Sequence, residues 1–268
     1  MSLIFRAGVA FHNAFRSEGA RLFGWRFGFD YLRIAAHVAR RWGATDSGEC
    51  RLLGYRISYP NQSHAFALLH EVFVHAPYAP GELPPRPRII DCGANIGCSL
   101  IFFKACAPNA SILAIEAAPD TFAYLERVVT LNALEDVTLV QAAVTGHDGT
   151  VTLHSAPGDP GSITASVSAG WGGPFEQTVP ARRLSSFIDG PVDFIKLDVE
   201  GAEYEVIDDL VATGRLALVH AMAIECHEVG RSDDAPASLV AQLEQSGMRV
   251  TMVRNPPART ALVRAERA

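Results

Sequence analysis

Downstream of Pro87 the hydrophobic pattern becomes regular. Residues 88–92, 111–116, 137–143, 193–199, 218–226, 249–253 and 260–264 are rich in Val, Ile and Leu without alternating in polarity, which predicts strands buried on both faces. Between them, apolar residues recur at helical spacing over 97–107, 120–131, 203–213 and 236–246. Such alternation predicts a mostly parallel sheet with helices on both faces, and ligands bound beyond the C-terminal strand ends.

Upstream, residues 5–41 mix apolar and basic positions, and Gly24 and Gly28 divide them into two short helices. Residues 50–59 predict a hairpin or edge strand ended by Pro60-Asn61, and residues 66–73 a helix. Glu71, Phe73, His75 and Tyr78 then precede a Pro-rich break at 80–87, placed either as satellite core or as a cap over a ligand. The chain thus divides into a helical and hairpin extension, residues 1–80, acting as a cap, and a catalytic-size domain, residues 81–268. Within that domain, Pro- and Gly-rich sequence interrupts the pattern between 149 and 182. The flanks of this stretch, 150–154 and 177–181, suit two further strands. Ser162, Thr164, Ser166 and Trp171 suit acceptor selection, the alternative being a variable surface excursion.

Charge changes the picture mainly through its distribution. The formal net charge is −6, which argues against generic affinity for nucleic acid. Residues 1–41 nevertheless carry seven arginines against Glu18 and Asp30, so they hold +5 while the remainder holds −11. This fits either a basic amphipathic surface for a membrane or partner, or a helical layer packed on the main domain. Five cysteines with no Cys-x-x-Cys pair suggest neither a disulfide framework nor a zinc knuckle. With no signal-peptide core and no run of about 18 apolar residues, the expectation is a cytoplasmic chain, with peripheral membrane contact as a further option.

The first stretch that carries chemistry is Asp91-Cys92-Gly93-Ala94-Asn95-Ile96-Gly97, where a strand hands over to a helix. Its glycines let backbone approach a ligand, and the helix start offers free N–H groups. The Gly-x-Gly-x-x-Gly spacing of a dinucleotide site is absent. The next strand finishes at Glu116, an acid able to accept hydrogen bonds from ribose hydroxyls; in dinucleotide sites the comparable acid also follows the loop by about 20 residues.

These residues, with Ala114-Ile115-Glu116-Ala117-Ala118-Pro119, Ala142 to Gly149 and above all Ile195-Lys196-Leu197-Asp198-Val199-Glu200-Gly201-Ala202-Glu203, resemble the FkbM family of S-adenosylmethionine-dependent methyltransferases. The resemblance runs from Tyr55 to the C-terminus. It implies a class I methyltransferase fold, Rossmann-like, with a mostly parallel seven-stranded sheet. It also implies transfer of a methyl group, usually to a hydroxyl oxygen of a sugar, glycan or natural product, leaving S-adenosylhomocysteine. Carried over by position, Asp91, Gly93, Ala94, Asn95 and Gly97 cradle the methionine part of the donor, Glu116 holds the ribose beside Ala117, and Gln141, Ala142 and Ala143 border the adenine. Asp198 also lies within the donor's reach.

On the acceptor side, Lys196 and Asp198 sit two apart on one strand and Glu200 follows at its exit; Glu225 and His227 repeat the spacing on the next. If these strands are neighbours, all five converge. Lys196 then needs a carboxylate partner, Asp198 or Glu225. Two mechanisms fit: His227 or Asp198 takes the acceptor's proton, or Asp198, Glu200, Glu225 and His227 hold a divalent cation such as magnesium. Lys196 already supplies positive charge, which favours the metal-free version; a mere ion-pair network bracing the strand ends is the third reading. A nicotinamide-dependent oxidoreductase and a non-catalytic scaffold recruited by the basic N-terminus are rivals, the former weakened by the missing glycine. The expected partner is a hydroxyl-bearing small molecule or glycan, and a homo-oligomer stays open.

Overall fold

The computed structural model describes residues 3–40, 46–155, 165–167, 173–227, 235–255 and 259–267, the first six by their backbone alone. Two helices come first, α1 (Leu3–Arg16) and α2 (Glu18–Arg40), and α2 kinks where Gly24 takes φ 66°, ψ −159°. A hairpin follows, β1 (Gly48–Leu52) antiparallel to β2 (Tyr55–Tyr59). Helix α3 (Gln62–Leu69) begins at Asn61, whose Oδ1 accepts the N–H groups of Ser63 and His64 at 2.9 and 3.2 Å. It widens into one π-helical stretch, His70–His75, ended by Ala76 in the left-handed region.

The regular half follows the sequence pattern closely. Its elements are β3 (Arg88–Cys92), α4 (Cys98–Cys106), β4 (Ser111–Glu116), α5 (Pro119–Leu131), β5 (Val137–Gln141), β6 (Ala143–Thr145), β7 (Gly149–Ser155), β8 (Phe175–Arg183), β9 (Val192–Leu197), α6 (Glu203–Ala212), β10 (Val219–His227), α7 (Ala235–Gln245), β11 (Met248–Asn255) and β12 (Thr260–Arg267). Seven strands form one sheet in the order β11-β12-β10-β9-β3-β4-β5. Only β12 opposes its neighbours; the pairs from β10 to β5 are parallel. This is a class I methyltransferase sheet. The chain runs outward from β3 to β5 and then returns to β9 on the other side of β3, so the crevice between β3 and β9 is the switch point where ligands bind. The flanks of the irregular segment do pair, β7 antiparallel to β8, with β6 parallel to β8.

Strand pleating sorts side chains between two cores. Ile89, Phe194 and Ala223 face one cluster, which contains Phe102 and Phe103 of α4 together with Phe27, Tyr31, Phe73 and Tyr78 from the N-terminal segment. Ile90, Ile195, Leu197, Met222 and Ile224 face the other, closed by Val206, Ile207 and Leu210 of α6 and Leu239 and Leu243 of α7. The first 80 residues and α4 thus share one core: Phe23 and Phe73 both meet Phe102, with ring centroids 5.6 and 5.3 Å away. Lys196, lying between Ile195 and Leu197, shares the face of Phe194. That face is the one the N-terminal segment covers.

Candidate active site

Backbone dominates the β3–β4 side of the crevice. Gly93 has φ +78°, and a Cβ there would lie 1.8 Å from the carbonyl oxygen of Asp198, so only glycine lets this loop pack on the end of β9. The N–H groups of Gly93 and Ala94 both donate to the Ile115 carbonyl, at 3.0 and 2.9 Å. Asn95, itself at φ 48°, donates its N–H to Glu116 Oε2 at 2.9 Å, and Ala118 donates to Oε1 at 2.9 Å. Burial raises the Glu116 pKa, and the N–H groups of Ala118 and Asn95 hold the rise in check. Those two bonds use two of the carboxylate's roughly four acceptor positions. Gly93, Ala94, Asn95, Glu116, Ala117, Ala142 and Ala143 line one cleft of about 270 Å³, close to the lower limit for small-molecule sites.

Three residues expected here stand elsewhere. Asp91 lies beneath the loop, fully buried, where Oδ2 accepts from Ser99 Oγ at 2.7 Å and Oδ1 lies 3.7 Å from Lys196 Nζ; it supports the loop and does not line the cleft. Gly97, at φ +92°, starts α4 and packs toward Leu125 and Val128. Gln141 ends β5 exposed to solvent, and the chain bends at Ala142 before β6, where Ala142 and Ala143 are buried.

Ionisable side chains dominate the β9–β10 side. The parallel pairing of β9 with β10, Leu197 opposite Ile224, brings Lys196, Asp198, Glu200, Glu225 and His227 to the same cleft. Lys196 Nζ donates to the carbonyls of Gly93 and Cys92 at 2.7 and 3.2 Å and lies 3.2 Å from Asp198 Oδ2. An ammonium has three N–H bonds, so these partners use them all. Burial works against the Lys196 charge, but Asp198 and Asp91 outweigh it and raise its pKa. Lys196 therefore ties the donor loop to Asp198, whose own carboxyl is lowered by the Lys196 and His227 charges against the effect of burial.

Four cleft residues come from the N-terminal segment, Leu68, Glu71, Val72 and Tyr78, and two of them are ionisable. Tyr78, buried, places its hydroxyl 2.8 Å from Glu225 Oε2 and 3.1 Å from Asp198 Oδ2, with Lys196 Nζ 5.0 Å from its ring centre. A phenol carries one proton, so it can satisfy one carboxylate while the other must bring a proton of its own. Glu225 is the one suited to do so, its pKa raised by burial and by Asp198. Glu71, on the π-helical stretch, also lines the cleft, and burial together with the charges of Glu225 and Asp198 pushes its pKa up to about 7.

His227 is held on both sides: Nδ1 lies 2.9 Å from Glu203 Oε1 and Nε2 3.3 Å from Glu200 Oε2. Burial opposes its charge, but the bond to Glu203 and the charges of Glu203, Glu200 and Asp198 push its pKa up to about 10. At neutral pH it is an imidazolium with no lone pair for an incoming proton. Glu203 is itself fully buried and also accepts the N–H groups of Val199 and Gly201, at 3.2 and 3.0 Å. Glu200 stands at φ 54°, its carbonyl accepting from Ser166 Oγ, and Ala165 and Val167 reach the cleft wall beside it. Ser162, Thr164 and Trp171 lie outside the described residues. Asp198, Glu200 and His227 can offer ligand atoms within 4.8 Å of one another.

The sequence places Tyr78 and Glu71 either in satellite core or in a cap over a ligand, and gives Glu203 no role beyond its motif. The i, i+2 spacing at two strand ends marks Lys196 to His227, but only folding brings in a tyrosine 120 residues from Asp198.

The chain is 32% identical over 189 residues to Methyltransferase sdnD of Sordaria araneosa, covering 59% of this chain and 72% of that protein. It is 30% identical over 161 residues to Methyltransferase 1 of Beauveria bassiana, covering 52% and 65%. Among solved structures it is similar to M. jannaschii TYW2 in complex with AdoMet, with 13% identity, a TM-score of 0.47 and coverage of 85% of this chain and 89% of that one. A precorrin-6y C5,15-methyltransferase from Geobacter metallireducens gives 16% identity and a TM-score of 0.42, covering 78% and 90%. Residues 91–247, from the acid beneath the donor loop to the start of β11, match the methyltransferase FkbM domain, and the chain belongs to that family of methyltransferases.

Proposed function

We propose that this chain methylates a hydroxyl oxygen of a sugar, glycan or natural product, with S-adenosylmethionine as donor. The observation that carries the reading is the junction of the two sides: the loop at Gly93 and the acid cluster at Asp198 are fastened together by Lys196 within one cleft. Glu116 takes the ribose hydroxyls, and Gly93, Ala94 and Asn95 take the adjoining part of the donor. When bound, S-adenosylmethionine supplies an electrophilic methyl group.

The chain's own residues orient the acceptor and manage its proton. Tyr78 and Lys196 hold Asp198 ionised as an acceptor for the substrate hydroxyl. The proton leaving that hydroxyl goes to Glu71, whose pKa, raised to about 7, makes it a better base than Asp198 near neutral pH, while Glu225 already holds the proton that the single phenol cannot supply. The imidazolium of His227 supports the bend at Glu200 and balances the local negative charge. The test is transfer of labelled methyl into hydroxyl-bearing sugars, glycans and natural products, followed by identification of the modified atom. Methylation at oxygen is expected; methylation only at nitrogen or carbon, or donor binding without transfer, overturns the reading.

One observation favours a second reading. The Nδ1 of His227 is directed to buried Glu203 while Nε2 faces Glu200 and Asp198, which is how a metal-ligating histidine is oriented by a carboxylate behind it. Activity that survives exhaustive chelation supports the metal-free reading; activity abolished by chelation and restored by magnesium supports the second.

A further inference from the structure

The other surface that calls for an occupant is the α1–α2 hairpin. Among the described residues, nine large apolar side chains are exposed, and five of them, Val9, Phe11, Leu22, Trp25 and Phe29, lie on this hairpin. They are not scattered. Phe11 meets Phe15 at 5.0 Å between ring centres, Phe15 meets Phe29 at 5.6 Å, and Phe29 meets Trp25 at 5.9 Å, a continuous aromatic ridge. Trp25 is 72% exposed and Phe11 and Phe29 are 60% exposed, so these rings project from the surface. The opposite side of the hairpin is already spent: Ala14, Phe27, Tyr31, Ile34 and Val38 are buried in the shared core. The kink at Gly24 stands just before Trp25, where a Cβ would meet nothing within 4 Å. A soluble monomer rarely displays a contiguous apolar patch without a use for it.

We propose that this face docks on an anionic lipid bilayer. The charge of the hairpin selects that occupant: Arg16, Arg21, Arg26, Arg33 and Arg40 are exposed on it, Arg21 and Arg33 beside Glu18 and Asp30, and residues 1–41 still hold +5 against −11 elsewhere. An anionic surface therefore attracts the hairpin and repels the rest of the molecule, which orients the chain as it approaches. Exposed Trp and Phe beside arginine is also the composition that settles into a headgroup layer. The anchorage is peripheral, since no helix among the described residues is long and apolar enough to cross a membrane. The hairpin packs on the π-helical stretch that carries Glu71, so docking sets the cleft's N-terminal wall close to the lipid-facing element.

The test is co-sedimentation of the full chain with vesicles of phosphatidylcholine plus phosphatidylglycerol, against vesicles of phosphatidylcholine alone. Binding to the anionic vesicles only, weakening as salt rises, is expected. Trp25→Ala with Phe29→Ala should lower partitioning roughly tenfold or more, and Trp25→Phe should retain most of it; both positions are exposed, and circular dichroism checks the fold. No binding to anionic vesicles, equal binding to both kinds, or binding untouched by the double substitution overturns the proposal. Self-association in gel filtration that the same substitution abolishes, without vesicle binding, assigns the face to a second copy of the chain instead.

Discussion

The two sides of the cleft are built on opposite plans. At β3 and β4 the site is backbone: Gly93, Ala94 and Asn95 present main chain, and a single acid, Glu116, is stitched to it by the N–H groups of Asn95 and Ala118. At β9 and β10 it is a set of charged side chains, Lys196, Asp198, Glu225 and His227, completed by Tyr78 and Glu71 from far upstream. Backbone fixed by glycine geometry suits recognition of one invariant ligand. Side chains whose protonation depends on one another suit a step in which a proton moves. The contrast separates what is carried from what is done with it, and each side can be broken alone.

The largest effect is expected on the proton-handling side. Glu71→Gln should lower turnover about 10²–10⁴-fold while leaving donor affinity, read by calorimetry, nearly unchanged. Because a base acts only when deprotonated, wild-type turnover should rise with pH through the Glu71 pKa of about 7 and then level off; Glu71→Gln should shift or remove that rise. On the other side, Glu116→Ala should weaken donor binding roughly tenfold to a hundredfold, the loss of hydrogen bonds to a charged group. Gly93→Ala should weaken donor binding as well, and should lower stability by about 1–3 kcal/mol in denaturant titration, since a Cβ collides with the Asp198 carbonyl.

The remaining effect concerns stability against pH. The folded pKa of His227 is raised from 6.5 to about 10, so the folded state holds a proton that the unfolded chain releases in that window. Its contribution is complete below 6.5 and is lost as pH rises toward 10. Glu71, raised from 4.5 to about 7, acts in the same direction at lower pH, because its ionised form is the disfavoured one in the fold. Denaturant midpoints should therefore fall from mildly acid to alkaline pH, and His227→Gln should flatten the upper part of that decline.

The same contrast decides what the sequence could tell. The donor side is local: a strand end, a glycine turn and an acid on the next strand are consecutive in the chain, and their spacing reports their arrangement. Even so, the positions carried over from the family resemblance included Gln141, which stands exposed where β5 ends, and Asp91, which packing places under the loop. On the acceptor side, alternate positions on neighbouring strands showed that Lys196 to His227 converge. They did not show that both nitrogens of His227 are occupied, since Glu203, an acid in the first turn of a helix, reads simply as complementing the helix dipole. Tyr78 and Glu71 stood beside a Pro-rich break and were as easily read as satellite core. Their place depends on which sheet face the N-terminal segment covers, and that is settled by packing across the whole chain.

Titration of S-adenosylmethionine into wild type, Glu116→Ala, Tyr78→Phe and Glu225→Gln puts the division between the two sides to the most direct test. The expected result is clear binding to wild type, Tyr78→Phe and Glu225→Gln with affinities within about twofold of one another, and roughly tenfold or greater loss in Glu116→Ala. Equal losses in all three variants, or full affinity in Glu116→Ala, would contradict it.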